Sequence, residues 1–216
     1  MNVYFISGLG ADRRAFEKIQ LDAAYTAHYI DWIEPLAKES IQAYANRLSD
    51  DIDFKKPFVL CGLSFGGIMA IEIAKQYPCK KVILISSISH RDELPKYYRL
   101  LGKLKIHQTP FLRLLKTKNA YVHHLFGVNA KRLKIYLDEM IQKTTLTYLR
   151  WSLDNILSWQ QKSKPDFVFH IHGDADKLFP IKNCNADKIV NKGGHFMVIT
   201  HAKLISEIIN DVLKSL

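Results

Sequence analysis

The chain has little with which to staple itself. Its 216 residues include three cysteines, Cys61, Cys79 and Cys184, an odd number with no pairing pattern. That excludes a small disulfide scaffold and favours a reducing cytoplasm. Long apolar runs are missing too: no stretch approaches the ~20 residues a membrane-spanning helix needs. The N-terminus leads straight into a core-type strand, with no basic segment followed by a cleavable apolar one, so no secretory signal is expected and the location expected is cytoplasmic. No repeat or low-complexity run points to a solenoid or a disordered tail. Acidic residues are the scarcer sign, 21 against 31 Lys and Arg. No nucleic-acid recognition motif accompanies that excess, so no specific nucleic-acid partner is expected. What remains, 48% hydrophobic and 24% charged residues, is ordinary for one soluble domain with a sizeable core.

One stretch stands out against this background. Gly62-Leu63-Ser64-Phe65-Gly66 follows an apolar strand, Pro57 to Cys61, and precedes a helical pattern that runs to Tyr77-Pro78. A serine between two glycines at a strand-to-helix junction is the signature of a nucleophile elbow, in which a strained turn pushes the hydroxyl outward. Side chains in place of the glycines would collide as the chain reverses. Such an elbow calls for an acid and then a histidine further along the chain. Phe167 to Ile171 reads as a strand running into Gly173-Asp174-Ala175-Asp176, which offers two carboxylates, Asp174 and Asp176; Asp92, after an earlier strand, is a remoter candidate. The histidine candidate is His195, in Lys192-Gly193-Gly194-His195-Phe196 after a short strand at 188–191. His170 and His172 lie two apart on one strand face, a spacing that can suit a metal. No further ligands cluster with them, and they read as structural, as do His123 and His124.

These motifs together resemble the α/β-hydrolase superfamily over nearly the full length. Gly62 to Gly67 is similar to its nucleophile motif, His172-Gly173-Asp174-Ala175-Asp176 to its acid motif and Gly194-His195-Phe196 to its histidine motif. The resemblance implies a triad of Ser64, Asp176 and His195. It also implies an oxyanion hole built from the amides of Leu9 and Phe65, because Val3 to Gly10 resembles the strand and loop that supply one of those donors. Where the family usually has His-Gly in that loop, this chain has Ser7-Gly8.

The alternation of strands and helices predicts an α/β fold: a mostly parallel sheet of about six strands, trimmed from the usual eight and flanked by helices. Helices are expected at Arg13 to Ile19, after Ser40, after the elbow and from Phe196 through Leu213. Residues 1–90 and 165–216 form the expected core. The segment 91–164 breaks the alternation and reads as amphipathic helices interrupted at Gly102, Thr109-Pro110 and Gly127. By the same resemblance it is a helical cap. It holds 15 Lys/Arg against 5 Asp/Glu, while the rest of the chain holds 16 of each. Its apolar and aromatic groups (Tyr97, Tyr98, Phe111, Leu112, Leu114, Leu115, Tyr121, Leu125, Phe126, Tyr136, Met140, Tyr148, Trp151 and Trp159) suggest an apolar underside beneath a basic outer face.

The expected activity is that of a serine hydrolase cleaving a small or medium carboxylic ester through an acyl-enzyme, with no metal or organic cofactor. One alternative is a thioesterase or methyl esterase for an acyl group on an acidic carrier protein or coenzyme A, motivated by the basic cap. Another, of a different class, is a non-catalytic small-molecule receptor on the same fold.

Overall fold

A computed structural model describes residues 1–109, 112–113, 116 and 120–216. Six strands, β1 (Asn2–Ile6), β2 (Thr26–Ile30), β3 (Phe58–Leu63), β4 (Lys81–Ile85), β5 (Val168–Gly173) and β6 (Lys188–Val190), form one sheet in the order β2-β1-β3-β4-β5-β6. Every pairing is parallel. The central strand β3 is buried along its whole length, whereas the edge strand β2 buries only its last residue. That contrast explains why β3 is a continuous apolar run and β2 is mixed.

Successive side chains of each strand point to opposite faces. Tyr4, Ile6, Leu60, Val82 and Leu84 pack on one side with Tyr44, Ile68, Ile71 and Trp159. These come from helices α1 (Ile41–Leu48) and α2 (Phe65–Gln76) and from the end of the insertion. Val3, Phe5, Val59, Cys61, Ile83 and Ile85 pack on the other with Ala15, Phe16, Ile205 and Ile209. The last two belong to the final helix. Burial pushes the Cys61 thiol pKa far up, so this cysteine is an inert core residue.

Between β4 and β5 the described residues of 91–164 contain helices α3 (Lys96–Lys103), α4 (Ala120–Leu125), α5 (Lys131–Lys143) and α6 (Leu146–Ser158) and no strand. Polar contacts fasten the segment to the core: Trp159 Nε1 to Glu72 Oε1 at 2.9 Å, Trp151 Nε1 to Glu39 O at 2.8 Å and Thr145 Oγ1 to Glu34 Oε1 at 2.7 Å. Val122, Val128, Leu137 and Met140 form a small cluster with Ala11 and Phe196 of the core. Phe111, Leu114, Leu115 and Pro110 lie outside the described residues.

Four sequence expectations differ in detail. Arg13 to Ile19 is only a short 3-10 turn, Arg13–Phe16, capped by Asp12. Downstream, the amides of Gln20 and Asp22 are drawn to Ser206 Oγ and Asn210 Oδ1 at 2.9 and 3.0 Å, which pulls the backbone off a helical path. The C-terminal helix is interrupted at His201, giving α7 (Met197–Thr200) and α8 (Ala202–Lys214). α3 runs through Gly102 instead of ending there. The missing side chain is where Leu157 of α6 packs, and the helix stops at Leu104-Lys105, where Lys105 has a φ of 51°. The apolar groups of 91–164 are not all on an underside either: Tyr97 and Tyr121 are exposed, at 52% and 65%.

Candidate active site

The strand order reverses direction between β1 and β3, since β2 lies outside β1 and all later strands lie beyond β3. The loops leaving these two strands therefore diverge and open a crevice at their C-terminal ends, the usual ligand position in such sheets. Ser64 sits at this switch point.

Ser64 links β3 to α2 with φ 53° and ψ −119°. A positive φ in a residue with a side chain costs about 1–3 kcal/mol, so its surroundings must hold it. Its amide donates to Ile85 O at 3.0 Å, and its carbonyl accepts from Gly67 N at 2.9 Å and Ser87 Oγ at 2.6 Å. A Cβ on Gly66 would overlap the carbonyl oxygens of Ile6 and Ser7, and one on Gly62 would overlap the backbone of Gly66 and Gly67. Both glycines are thus required for helix α2 to approach β1 and β3.

The loop after β6 brings His195 to the serine. Its Nε2 lies 3.0 Å from Ser64 Oγ and its Nδ1 lies 2.8 Å from Asp176 Oδ2. Gly173, having no side chain, lets the backbone at Gly193 come against β5, and Ala175 N donates to Gly193 O at 3.0 Å. Phe126 and Phe179 each meet the imidazole edge-on, at centroid distances of 5.2 and 5.5 Å. The ring is therefore clamped, almost wholly buried, between the insertion and the core.

Asp176, buried after β5, receives Leu178 N and Phe179 N on Oδ1, both at 2.9 Å. Burial alone would raise its pKa. The charge and hydrogen bond of His195, followed by His172 and the Phe179 amide, outweigh that and hold the carboxyl below its ordinary value. Asp174 is exposed and Asp92 faces Arg99 at 2.7 Å, so neither reaches His195.

A pair of histidines lies behind the acid. His172 Nε2 is 2.7 Å from Phe179 O, which can only accept, so that nitrogen carries the proton. Nδ1 then accepts from His170 Nε2 at 3.1 Å, which leaves His170 Nδ1 without a hydrogen-bond partner among the described residues. Burial, then the neighbouring His172, drives the His170 pKa down to about 3, and burial also lowers that of His172. Among the described residues no His, Cys, Asp and Glu cluster could hold a metal ion. His123 instead bonds Asp138 Oδ1 at 2.7 Å, and His124 lies 3.1 Å from Lys177 Nζ.

The loop after β1 passes beside Ser64, close enough that a Cβ on Gly8 would lie 3.4 Å from Ser64 Cβ. Ser7 hydroxyl donates to Ala11 O at 2.7 Å and accepts from Trp32 Nε1 at 3.0 Å, which also donates to Gly8 O at 3.0 Å. In this way Ser7 holds the loop internally. Leu9 lies at its turn, and Phe65, as the first residue of α2, has an amide that no intrahelical bond uses. Trp32, Phe126 and His172 are site residues that motif reasoning did not single out for such roles. Trp32 follows β2 by two residues, and no motif marks it.

The family model described as serine aminopeptidase, S33, matches residues 36–197, about three quarters of the chain. No curated protein sequence matches. Among solved structures, MenH from S. aureus is 16% identical with a TM-score of 0.71, covering 100% of this chain and 94% of its own. An epoxide hydrolase from Bacillus megaterium is 12% identical with a TM-score of 0.71, covering 99% and 93%. An esterase from Exiguobacterium antarcticum is 15% identical with a TM-score of 0.69, covering 99% and 92%. At such identities the likeness is one of fold, and it spans proteins of different names and chemistries.

Proposed function

We propose that the chain, which belongs to the serine aminopeptidase S33 family of α/β-hydrolases, cleaves carboxylic esters with Ser64 as nucleophile. The observation that carries this reading is the unbroken line from Ser64 Oγ through His195 to Asp176, with links of 3.0 and 2.8 Å. His195 Nε2 takes the serine proton as Oγ attacks the ester carbonyl, and Asp176 holds the imidazole in the required tautomer and balances its cation. The amides of Leu9 and Phe65 donate to the developing oxyanion, each worth on the order of 3 kcal/mol in the transition state. His195 then protonates the departing alcohol. Water, deprotonated by the same nitrogen, releases the acid from the acyl-enzyme.

An ester is favoured over a peptide with a free N-terminus on electrostatic grounds. A substrate ammonium group needs a carboxylate near the serine, and the proposed cap, residues 91–164, carries 15 cations against 5 acids. The same charge is what keeps a thioester on an anionic carrier as the second reading. A panel of p-nitrophenyl esters of increasing chain length, acyl thioesters and aminoacyl p-nitroanilides, each with Ser64→Ala as control, tests the proposal. Ester turnover abolished by the substitution supports it. Turnover that survives Ser64→Ala, or that is confined to anilides, refutes it.

A further inference from the structure

Helix α3 is amphipathic with its apolar side turned outward. Tyr97, Leu100, Leu101 and Leu104 are 52%, 56%, 40% and 61% exposed. At 100° per residue these four occupy one continuous stripe about 100° wide. The opposite side holds Gly102, which packs against Leu157 of α6. No residue of α3 is fully buried. Four of the twelve large hydrophobic residues exposed among the described residues therefore lie together on one short helix and its cap. Scattered apolar residues on a surface need no explanation, but a contiguous stripe does.

Cations flank the stripe. Lys96, Lys103 and Lys105 are exposed, and no described salt bridge engages them. Beside the stripe, between α3 and α6, runs a groove of about 530 Å³ with Leu94, Leu100 and Leu157 among its apolar walls and Arg91, Lys96 and Lys103 on its rim. The nearby carboxylates are already engaged: Asp92 by Arg99 at 2.7 Å and Asp154 by His107 at 3.0 Å.

We infer that α3 is a docking face for an anionic lipid surface. The stripe is made of three leucines and one tyrosine at its N-terminal end, and the Tyr97 hydroxyl is its one polar group. Leucines set among lysines are what a helix lying in the headgroup region presents: the apolar side enters the acyl boundary while the lysine stems extend their ammonium groups back to the phosphates. The complementarity of charge selects anionic lipid over zwitterionic lipid. A protein docked in this way would draw its substrates from that surface.

The experiment is sedimentation of the Ser64→Ala protein, which keeps hydrolysis out of the measurement, with phosphatidylcholine vesicles made with and without phosphatidylglycerol. Binding is expected only to the anionic vesicles and should fall as salt is raised. The triple change Lys96→Gln, Lys103→Gln, Lys105→Gln should weaken it on the order of a hundredfold, from about fivefold per cation. Leu100→Ser with Leu104→Ser should weaken it at least about tenfold. Both sets of residues are exposed, so unchanged turnover of a small soluble ester in the otherwise wild-type protein reports that the variants fold. Absence of vesicle binding overturns the inference, as does equal binding to neutral vesicles or binding indifferent to the leucines. Retention by an acidic carrier protein without vesicle binding overturns it in favour of a protein partner. Leucine-dependent dimerisation without vesicle binding overturns it in favour of a second copy.

Discussion

The indole of Trp32 stacks on the ring of Phe65, 5.3 Å between centroids and 13° between planes. The same indole's N–H donates to Ser7 Oγ and Gly8 O at 3.0 Å. One side chain thus fixes both backbone segments that carry the proposed oxyanion donors, Leu9 and Phe65. Trp32→Phe keeps the stacking and loses the two hydrogen bonds. It should lower kcat by roughly tenfold to a hundredfold, short of the 10²–10³ lost with a whole donor. KM should change little, because the loss falls on the transition state. Steady-state kinetics on one p-nitrophenyl ester reads both constants. A change in KM alone would assign Trp32 to substrate binding instead.

Ser64 should be the residue labelled by a fluorophosphonate, since its hydroxyl is only partly buried and lies 3.0 Å from His195 Nε2. Intact mass and peptide mapping check this. Labelling at any other serine, or none in the folded protein, counts against the assignment.

Asp176→Asn should reduce kcat by ~10⁴-fold, by the logic that the amide stabilises the wrong imidazole tautomer. Asp174→Asn should be nearly silent, because that carboxylate is exposed and reaches no histidine. A larger effect at Asp174 would reverse the roles.

Gly66→Ala should prevent proper folding of the elbow. The added methyl meets the carbonyl oxygens of Ile6 and Ser7, which are backbone atoms of a central strand and its loop and cannot swing aside. Thermal unfolding should show a loss of several kcal/mol, at the large end for overpacking. A variant with wild-type stability would mean that α2 can move off β1 cheaply.

His170 makes stability depend on pH. Unfolded, it titrates near 6.5; folded, it stays neutral down to about 3. Between those values the unfolded chain binds the extra proton, so stability falls as pH drops, by about 1.4 kcal/mol per pH unit well inside the window. His172, also depressed by burial, adds in the same direction. His170→Gln keeps an N–H to offer His172 and removes one titration. Urea unfolding at pH 7, 5.5 and 4.5 should then show a shallower slope than wild type. An identical slope would remove His170 from the account.

The parts of the site that were legible in the sequence are those whose geometry is local. Gly62-Leu63-Ser64-Phe65-Gly66 contains its own strand end, turn and helix start, and Asp176 and His195 follow their strands by a few residues. The six-strand sheet was legible because β3, β4 and the buried parts of β1 and β5 are short apolar runs between helical stretches. The remainder depends on partners far away in the chain. Trp32 acts through Ser7, 25 residues before it, and Phe126 clamps His195 from within the insertion. Gly102 reads as a helix breaker until Leu157 is seen filling the space beside it. Of the outward stripe of α3 only Tyr97 was counted, and it was assigned to an apolar underside, because periodicity gives an apolar face without saying which way it turns.

The insertion leaves the sheet after β4 and comes back beside its own starting point, where Arg91 N donates to Gln161 O at 2.9 Å. About seventy residues therefore begin and end at one spot, and closing a longer or shorter excursion there adds little entropy cost. Ends that meet in this way suit the segment to exchange as a cassette. A designed chimaera that replaces 91–161 should leave the strands that precede Ser64, Asp176 and His195 in register. Exchange of the segment also exchanges Phe126, the ring that meets His195 edge-on, so what surrounds that histidine changes together with the cassette.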